Sequence, residues 1–177
     1  MKRFVFNDEN EINSYGFRVL TDGIALEQFQ NNPICLNNHI NDTKNVLGTW
    51  KDLKAEKGLL SGVPQFDTND DEGKEVVRKV EAGTIKSCSM GIRFNKKHLQ
   101  VVDGVLTLTK CVLFEVSIVA VPSNAKALVL YNQDGELVPE SEIKELCLNL
   151  KPNSIKMKQV ITHLQLQENA DETAVLS

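Results

Sequence analysis

The chain predicts an α+β, β-rich fold, a barrel-like sheet with a few flanking helices, and three observations carry that reading. Short apolar runs recur from residue 1 to residue 150, separated by clusters of Asn, Asp, Ser, Gly and Pro that form turns. Only two or three segments repeat their apolar residues with helical spacing. The length of 177 residues suits one full core with a tail. Many short strands with so few helices make a barrel-like sheet the natural architecture.

Taken in order, residues 4–6 and 15–20 read as strands, with turn formers Asn7-Asp8-Glu9-Asn10-Glu11 and Asn13-Ser14 between them. Thr21-Asp22-Gly23 is a second turn. A short helix over residues 24–29 follows, because Ala25, Leu26 and Phe29 share one face; Pro33 stops it. Ile34-Cys35-Leu36 is a brief buried strand that delivers Asn37, Asn38 and His39 to its end. Residues 46–53 and 58–66 form a hairpin through Lys54-Ala55-Glu56-Lys57. After an acidic stretch, a helix runs over residues 74–82 with Val76, Val77 and Val80 inward and Gly83 as its terminator.

A strand over residues 85–94 comes next, then a hairpin of residues 99–102 and 105–108 turning at Asp103-Gly104. Residues 110–121 form a long apolar strand closed by Pro122-Ser123-Asn124. Residues 125–131 fit helix or strand, and residues 140–148 a modest helix. From residue 151 the character changes: residues 151–177 read as a C-terminal helical or flexible acidic tail, and a soft boundary falls near Leu150.

Composition narrows the function. Hydrophobic residues make up 41% and charged residues 25%, as in a soluble globular protein. A net charge of −4 without a basic block argues against a nucleic-acid surface. No run approaches the roughly 18 apolar residues of a spanning helix. The amino terminus turns acidic at Asn7-Asp8 before a signal-peptide core forms, so neither leader nor membrane partner is expected. Cys35, Cys88, Cys111 and Cys147 show no paired spacing; Cys35 and Cys88 sit in apolar runs, like small buried hydrophobes in a reducing compartment. Neither the cysteines nor His39, His98 and His163 fall at short ligand spacings, so no metal and no other cofactor is expected.

A serine hydrolase needs a hydroxyl, a base, a group that orients the base and donors for the oxyanion. His39 ends an apolar strand where a scaffold can hold it at a rim, whereas His98 lies in the basic Asn95-Lys96-Lys97-His98 and His163 in the tail; His39 is therefore the candidate base, or else a hydrogen-bonded structural histidine. Alternation puts Ser87, Ser89 and Gly91 on one face of their strand and Cys88, Met90 and Ile92 on the other. That small polar face is either a place where a substrate approaches the backbone or the outside of a half-exposed strand. Glu115 interrupts an apolar run, and a carboxylate there is costly to bury unless paired. It either accepts from an imidazole N–H, as the third member of a triad does, or faces water on an edge strand.

Asn32-Pro33-Ile34-Cys35-Leu36-Asn37-Asn38-His39, then Ser89-Met90-Gly91-Ile92, then Leu113-Phe114-Glu115-Val116-Ser117-Ile118-Val119-Ala120-Val121-Pro122-Ser123-Asn124 resemble the prohead (procapsid maturation) serine proteases of tailed bacteriophages. The 50 residues from His39 to Ser89 also suit that family. The likeness covers roughly residues 14–130, and the last motif is its most specific part. It implies a fold similar to the herpesvirus assemblin proteases, a closed or nearly closed β-barrel surrounded by helices, with residues 1–150 as the catalytic domain. It also implies Ser89 as nucleophile, His39 as general base and Glu115 as orienting acid. Met90 and Ile92 replace the commoner Ile or Val and Phe of the family, and Ala120 stands where Pro is frequent. Ser87 competes with Ser89 from the same face, and only the register to Gly91 separates them.

The implied activity is cleavage of phage scaffold and capsid-protein propeptides, and of the chain itself, inside the assembling procapsid in the cytoplasm of the bacterial host. The assemblin likeness makes a homo-oligomer an expectation as well. Two other readings compete: a non-catalytic scaffolding component of the phage head with the same fold, in which His39, Ser89 and Glu115 do not converge, and a cysteine hydrolase using Cys88.

Overall fold

A computed structural model describes residues 2–120 and 127–150. The strand terminator expected at Pro122-Ser123-Asn124 and the tail over residues 151–177, His163 included, lie outside the described residues. The strands are β1 (Phe4–Asp8), β2 (Arg18–Val19), β3 (Ile24–Ala25), β4 (Ile34–Asn37), β5 (Val46–Glu56), β6 (Leu59–Phe66), β7 (Ser87–Phe94), β8 (Leu99–Val102), β9 (Val105–Leu108), β10 (Cys111–Val119) and β11 (Ala127–Tyr131). The helices are α1 (Glu27–Asn31), α2 (Asp71–Glu81) and α3 (Glu140–Leu150).

Most boundaries follow local chemistry. Lys57 and Gly58, with φ of 53° and 76°, make a tight left-handed turn between β5 and β6. Asp103 and Gly104, at 51° and 77°, do the same between β8 and β9. Helix α2 begins at an Asp70 cap whose carboxylate accepts from the Glu72 N–H, buries Val76 and Val80, and ends before Gly83 at φ 71°.

Two expectations fail because longer-range contacts override local pattern. Residues 24–25 form a strand rather than the start of a helix, since they pair in parallel with Cys111 and Val112 of β10. Helix α1 then starts only at Glu27. The strand expected over residues 15–20 shrinks to β2, because the Asn13 side chain accepts from the Tyr15 N–H and holds a turn there.

The main sheet has eight strands in the order β1-β6-β5-β4-β10-β7-β11, with β3 laid beside β10 in line with β4; β2-β9-β8 make a second, three-stranded sheet. The main sheet curls without closing. Strand β1 packs beside β7, and the Cys88 thiol donates to the Val5 carbonyl at 3.2 Å, but no ladder pairs the two strands among the described residues. From Ser89 to Arg93, β7 already has β10 on one edge and β11 on the other, so no edge is left there for a barrel-closing ladder. A fully closed barrel, one form of the expectation, is thus not what the described residues build.

Inside the curl sits Trp50, 2% exposed, with the edges of Phe4 and Phe6 against it at ring-centroid distances of 5.8 and 4.7 Å. Its indole N–H donates to the Val116 carbonyl at 2.9 Å, tying β5 to β10 across the core. Trp50→Ala is expected to cost about 3–5 kcal/mol, read as a lowered midpoint in urea unfolding followed by circular dichroism.

Candidate active site

Three neighbouring strands build the site. β4 runs parallel to one edge of β10, pairing Ser117 with Leu36 and Ile118 with Asn37. β7 runs antiparallel to the other edge, pairing Ser117 with Ser89 and Glu115 with Gly91. Residues paired across a ladder share a face, so Ser89, Gly91, Ser117 and Glu115 lie together.

Glu115 reaches that face through a β-bulge. The register shifts between Leu113, opposite Ile92, and Glu115, opposite Gly91, which leaves Phe114 as the extra residue. With unbroken alternation Glu115 would share the core face of Leu113; the inserted residue re-aims it. Gly91 makes room. A Cβ there would lie 2.1 Å from Glu115 Oε1 and 2.8 Å from the Tyr131 ring, so only glycine lets the carboxylate rest on the β7 backbone.

His39 arrives from β4 by a turn closed by the Ile40 N–H on the Asn37 carbonyl at 3.1 Å. Both central residues are left-handed, Asn38 at φ 51° and His39 at 62°, as a type I′ turn requires. That conformation costs a non-glycine residue roughly 1–2 kcal/mol. Two bonds hold it: the Asn38 N–H donates to the Ile118 carbonyl at 3.1 Å, and the His39 N–H to Ser117 Oγ at 3.0 Å.

The turn sets the imidazole over the shared face. His39 Nδ1 lies 2.6 Å from Glu115 Oε1, and Nε2 lies 2.7 Å from Ser89 Oγ. The Ser117 hydroxyl donates to Glu115 Oε2 at 2.7 Å. With Nδ1–H donating to the carboxylate, Nε2 is left as the acceptor for the Ser89 hydroxyl. Ser89 and Ser117 have no exposed surface, Glu115 is 3% exposed, and the His39 side chain, 16% exposed, is the group that reaches solvent. Beside them Tyr131 is buried, and its phenol is pushed up to about 12, first by desolvation and then by the negative charge of Glu115.

The structure thus brings His39, Ser89 and Glu115 together, the convergence that a scaffold without turnover would not need. Glu115 is buried on a strand paired along both edges, not an edge carboxylate facing water. Ser87 sits two residues further along β7, opposite Val119, and makes no hydrogen bond to the imidazole. Ser117 is the member that residue-type reasoning passed over, although its spacing of two from Glu115 put it on the same face. Cys88 points to the other face, and burial pushes its thiol up to about 12, which disfavours the thiolate a cysteine hydrolase needs. All four cysteines are buried, and Cys35, Cys88 and Cys111 are free thiols. Among the described residues no cluster of His, Cys, Asp or Glu is placed to hold a metal ion, and no helix is long and apolar enough to cross a membrane.

A carboxylate, an imidazole and a hydroxyl in hydrogen-bond series define the constellation of a serine hydrolase. The model of the caudovirus prohead serine proteases matches residues 4–139, and the chain belongs to that family. It is a serine protease of tailed-phage proheads. No curated protein and no solved structure matches the chain.

Two outcomes follow from the geometry. Gly91→Ala is expected to lower stability by about 1–3 kcal/mol and to dislodge Glu115. The second effect is checked by loss of the downfield Nδ1–H proton resonance of His39. At pH 8 iodoacetamide should leave Cys88 unmodified in the native protein and alkylate it in urea, as peptide mass spectrometry would read.

Proposed function

We propose that Ser89, His39 and Glu115 are the catalytic triad of an endopeptidase that cleaves scaffold and capsid-protein propeptides, and its own chain, during procapsid maturation. The observation that carries the reading is the unbroken hydrogen-bond series from Ser89 Oγ through both imidazole nitrogens to Glu115.

In the first half-reaction His39 Nε2 takes the proton of Ser89 as Oγ attacks the peptide carbonyl. The Nδ1–H bond to Glu115 stabilises the imidazolium that forms. Collapse of the tetrahedral intermediate expels the amine, which receives the proton from Nε2. Water then repeats the sequence on the acyl-enzyme and releases the acid. Ser117 keeps the carboxylate fixed and anchors the turn that presents the base. Because Ser89 has no exposed surface, a peptide reaches it only as the groups above the hydroxyl part.

The curled sheet and its flanking helices are read as the counterpart of the assemblin barrel. An assembly of several copies, and a division into a catalytic unit over residues 1–150 and a tail over 151–177, belong to the same reading.

The test incubates the purified chain with the capsid and scaffold proteins of its own phage. Ser89→Ala and His39→Ala should each lower cleavage by about three orders of magnitude or more, and Glu115→Gln should lower it less than either. Equal cleavage by wild type and Ser89→Ala would overturn the assignment.

A further inference from the structure

Arg93 lies on β7 on the same face as Ser89 and Gly91, four residues beyond Ser89. Its guanidinium carbon stands 4.2 Å over the Phe114 ring centroid, and Phe114 packs edge-on against Tyr131 at 5.0 Å. Gly135, at φ 83°, backs the guanidinium: a Cβ there would fall 3.0 Å from Nη2. The guanidinium is therefore in contact range of both the Phe114 ring and the Gly135 backbone. Its Nε is buried and has no hydrogen-bond partner among the described residues.

The arginine opens into a cavity of about 700 Å³. Lys110 and His98 line the same cavity, as do Asp22 and Glu27, so its charge is mixed. Among the described residues neither acid is paired with Arg93. An anion entering the cavity is consequently selected by the fork rather than by the general field of the walls. A planar guanidinium with unspent donors is matched by a carboxylate, which takes two parallel N–H bonds.

We infer that Arg93 anchors a substrate subsite for an acidic side chain, Asp or Glu, on the peptide being cleaved. The inference rests on the proteolytic reading above. The spacing follows from strand geometry. Four residues along β7 span roughly 13 Å, so an extended peptide lying over this face carries the acid about four residues from the scissile bond. The bulge at Phe114 serves both ends of this arrangement: it turns Glu115 toward Ser89 and presents the ring on which Arg93 stacks.

The experiment separates binding from turnover. The full chain carrying Ser89→Ala is immobilised and exposed to a random library of dodecapeptides, acetylated and amidated so that only side chains carry carboxylates. Retained peptides should be enriched in Asp or Glu at one fixed position. Adding Arg93→Gln should weaken the retained peptides by about ten- to a hundredfold, and Arg93→Lys, which keeps the charge without the fork, should weaken them less. Enrichment that is absent, or that survives Arg93→Gln in a protein with unchanged circular dichroism, overturns the subsite. Should Arg93→Gln fail to fold, Arg93→Lys takes its place, and unchanged binding by that variant overturns the subsite. If the enriched peptides bind through Arg93 yet wild type cleaves none of them, Arg93 binds acidic peptides but its role as a substrate subsite is overturned; if wild type cleaves them and Ser89→Ala cleaves them equally, the subsite stands and the triad assignment falls.

Discussion

Glu115 is a carboxylate in the middle of a central strand, with core residues Leu113 and Val116 close by in sequence. Such a group costs several kcal/mol to bury unless its oxygens find donors. Here both do, one with the imidazole of His39 and one with the hydroxyl of Ser117. Much of the architecture around it is what this satisfaction demands. The bulge takes the side chain off the core face, Gly91 leaves a place for it, and β4 ends where a turn can swing a histidine over it. Remove the carboxylate and the imidazole loses its orientation; remove the imidazole and the carboxylate is left half satisfied in a buried place.

The left-handed turn at Asn38 and His39 is the complementary constraint. Its backbone conformation is unfavourable for both residues, yet the ladder to β10 and the Ser117 hydroxyl hold it. Ser117 joins the two halves: one oxygen accepts from the backbone of the base and donates to the acid. A single small residue thereby couples the position of His39 to that of Glu115. The next face positions of β7 run from Ser89 past the glycine to Arg93, from the proposed nucleophile to the proposed anchor for the peptide.

The sequence made much of this readable. Alternation along residues 87–91 correctly separated the serines from Cys88, and the apolar strand over residues 34–36 does deliver His39 to its end, by a turn just past Asn37. The hairpin turning at Asp103-Gly104 was legible because Asp-Gly carries its own turn chemistry, whereas the β5–β6 turn, expected over Lys54-Ala55-Glu56-Lys57, falls at Lys57-Gly58 after β5 has run on to Glu56. What could not be read was the bulge. Plain alternation sets Glu115 on the face of Leu113, and no residue type announces that Phe114 is extra. The strand at residues 24–25 was hidden for a related reason: its identity comes from β10, some ninety residues away, not from its neighbours. The burial of Ser89 was equally invisible, since a serine–glycine face fits a half-exposed strand as well as a closed site.

Activation of Ser89 by His39 is the step on which the proposed chemistry turns, and a serine-directed phosphonate probes it without any knowledge of the substrate. A single adduct is expected, mapped to Ser89 by peptide mass spectrometry, and its formation should fall by orders of magnitude in His39→Ala protein of unchanged fold. An adduct on Ser87, or labelling of Ser89 at the same rate without the histidine, would contradict it.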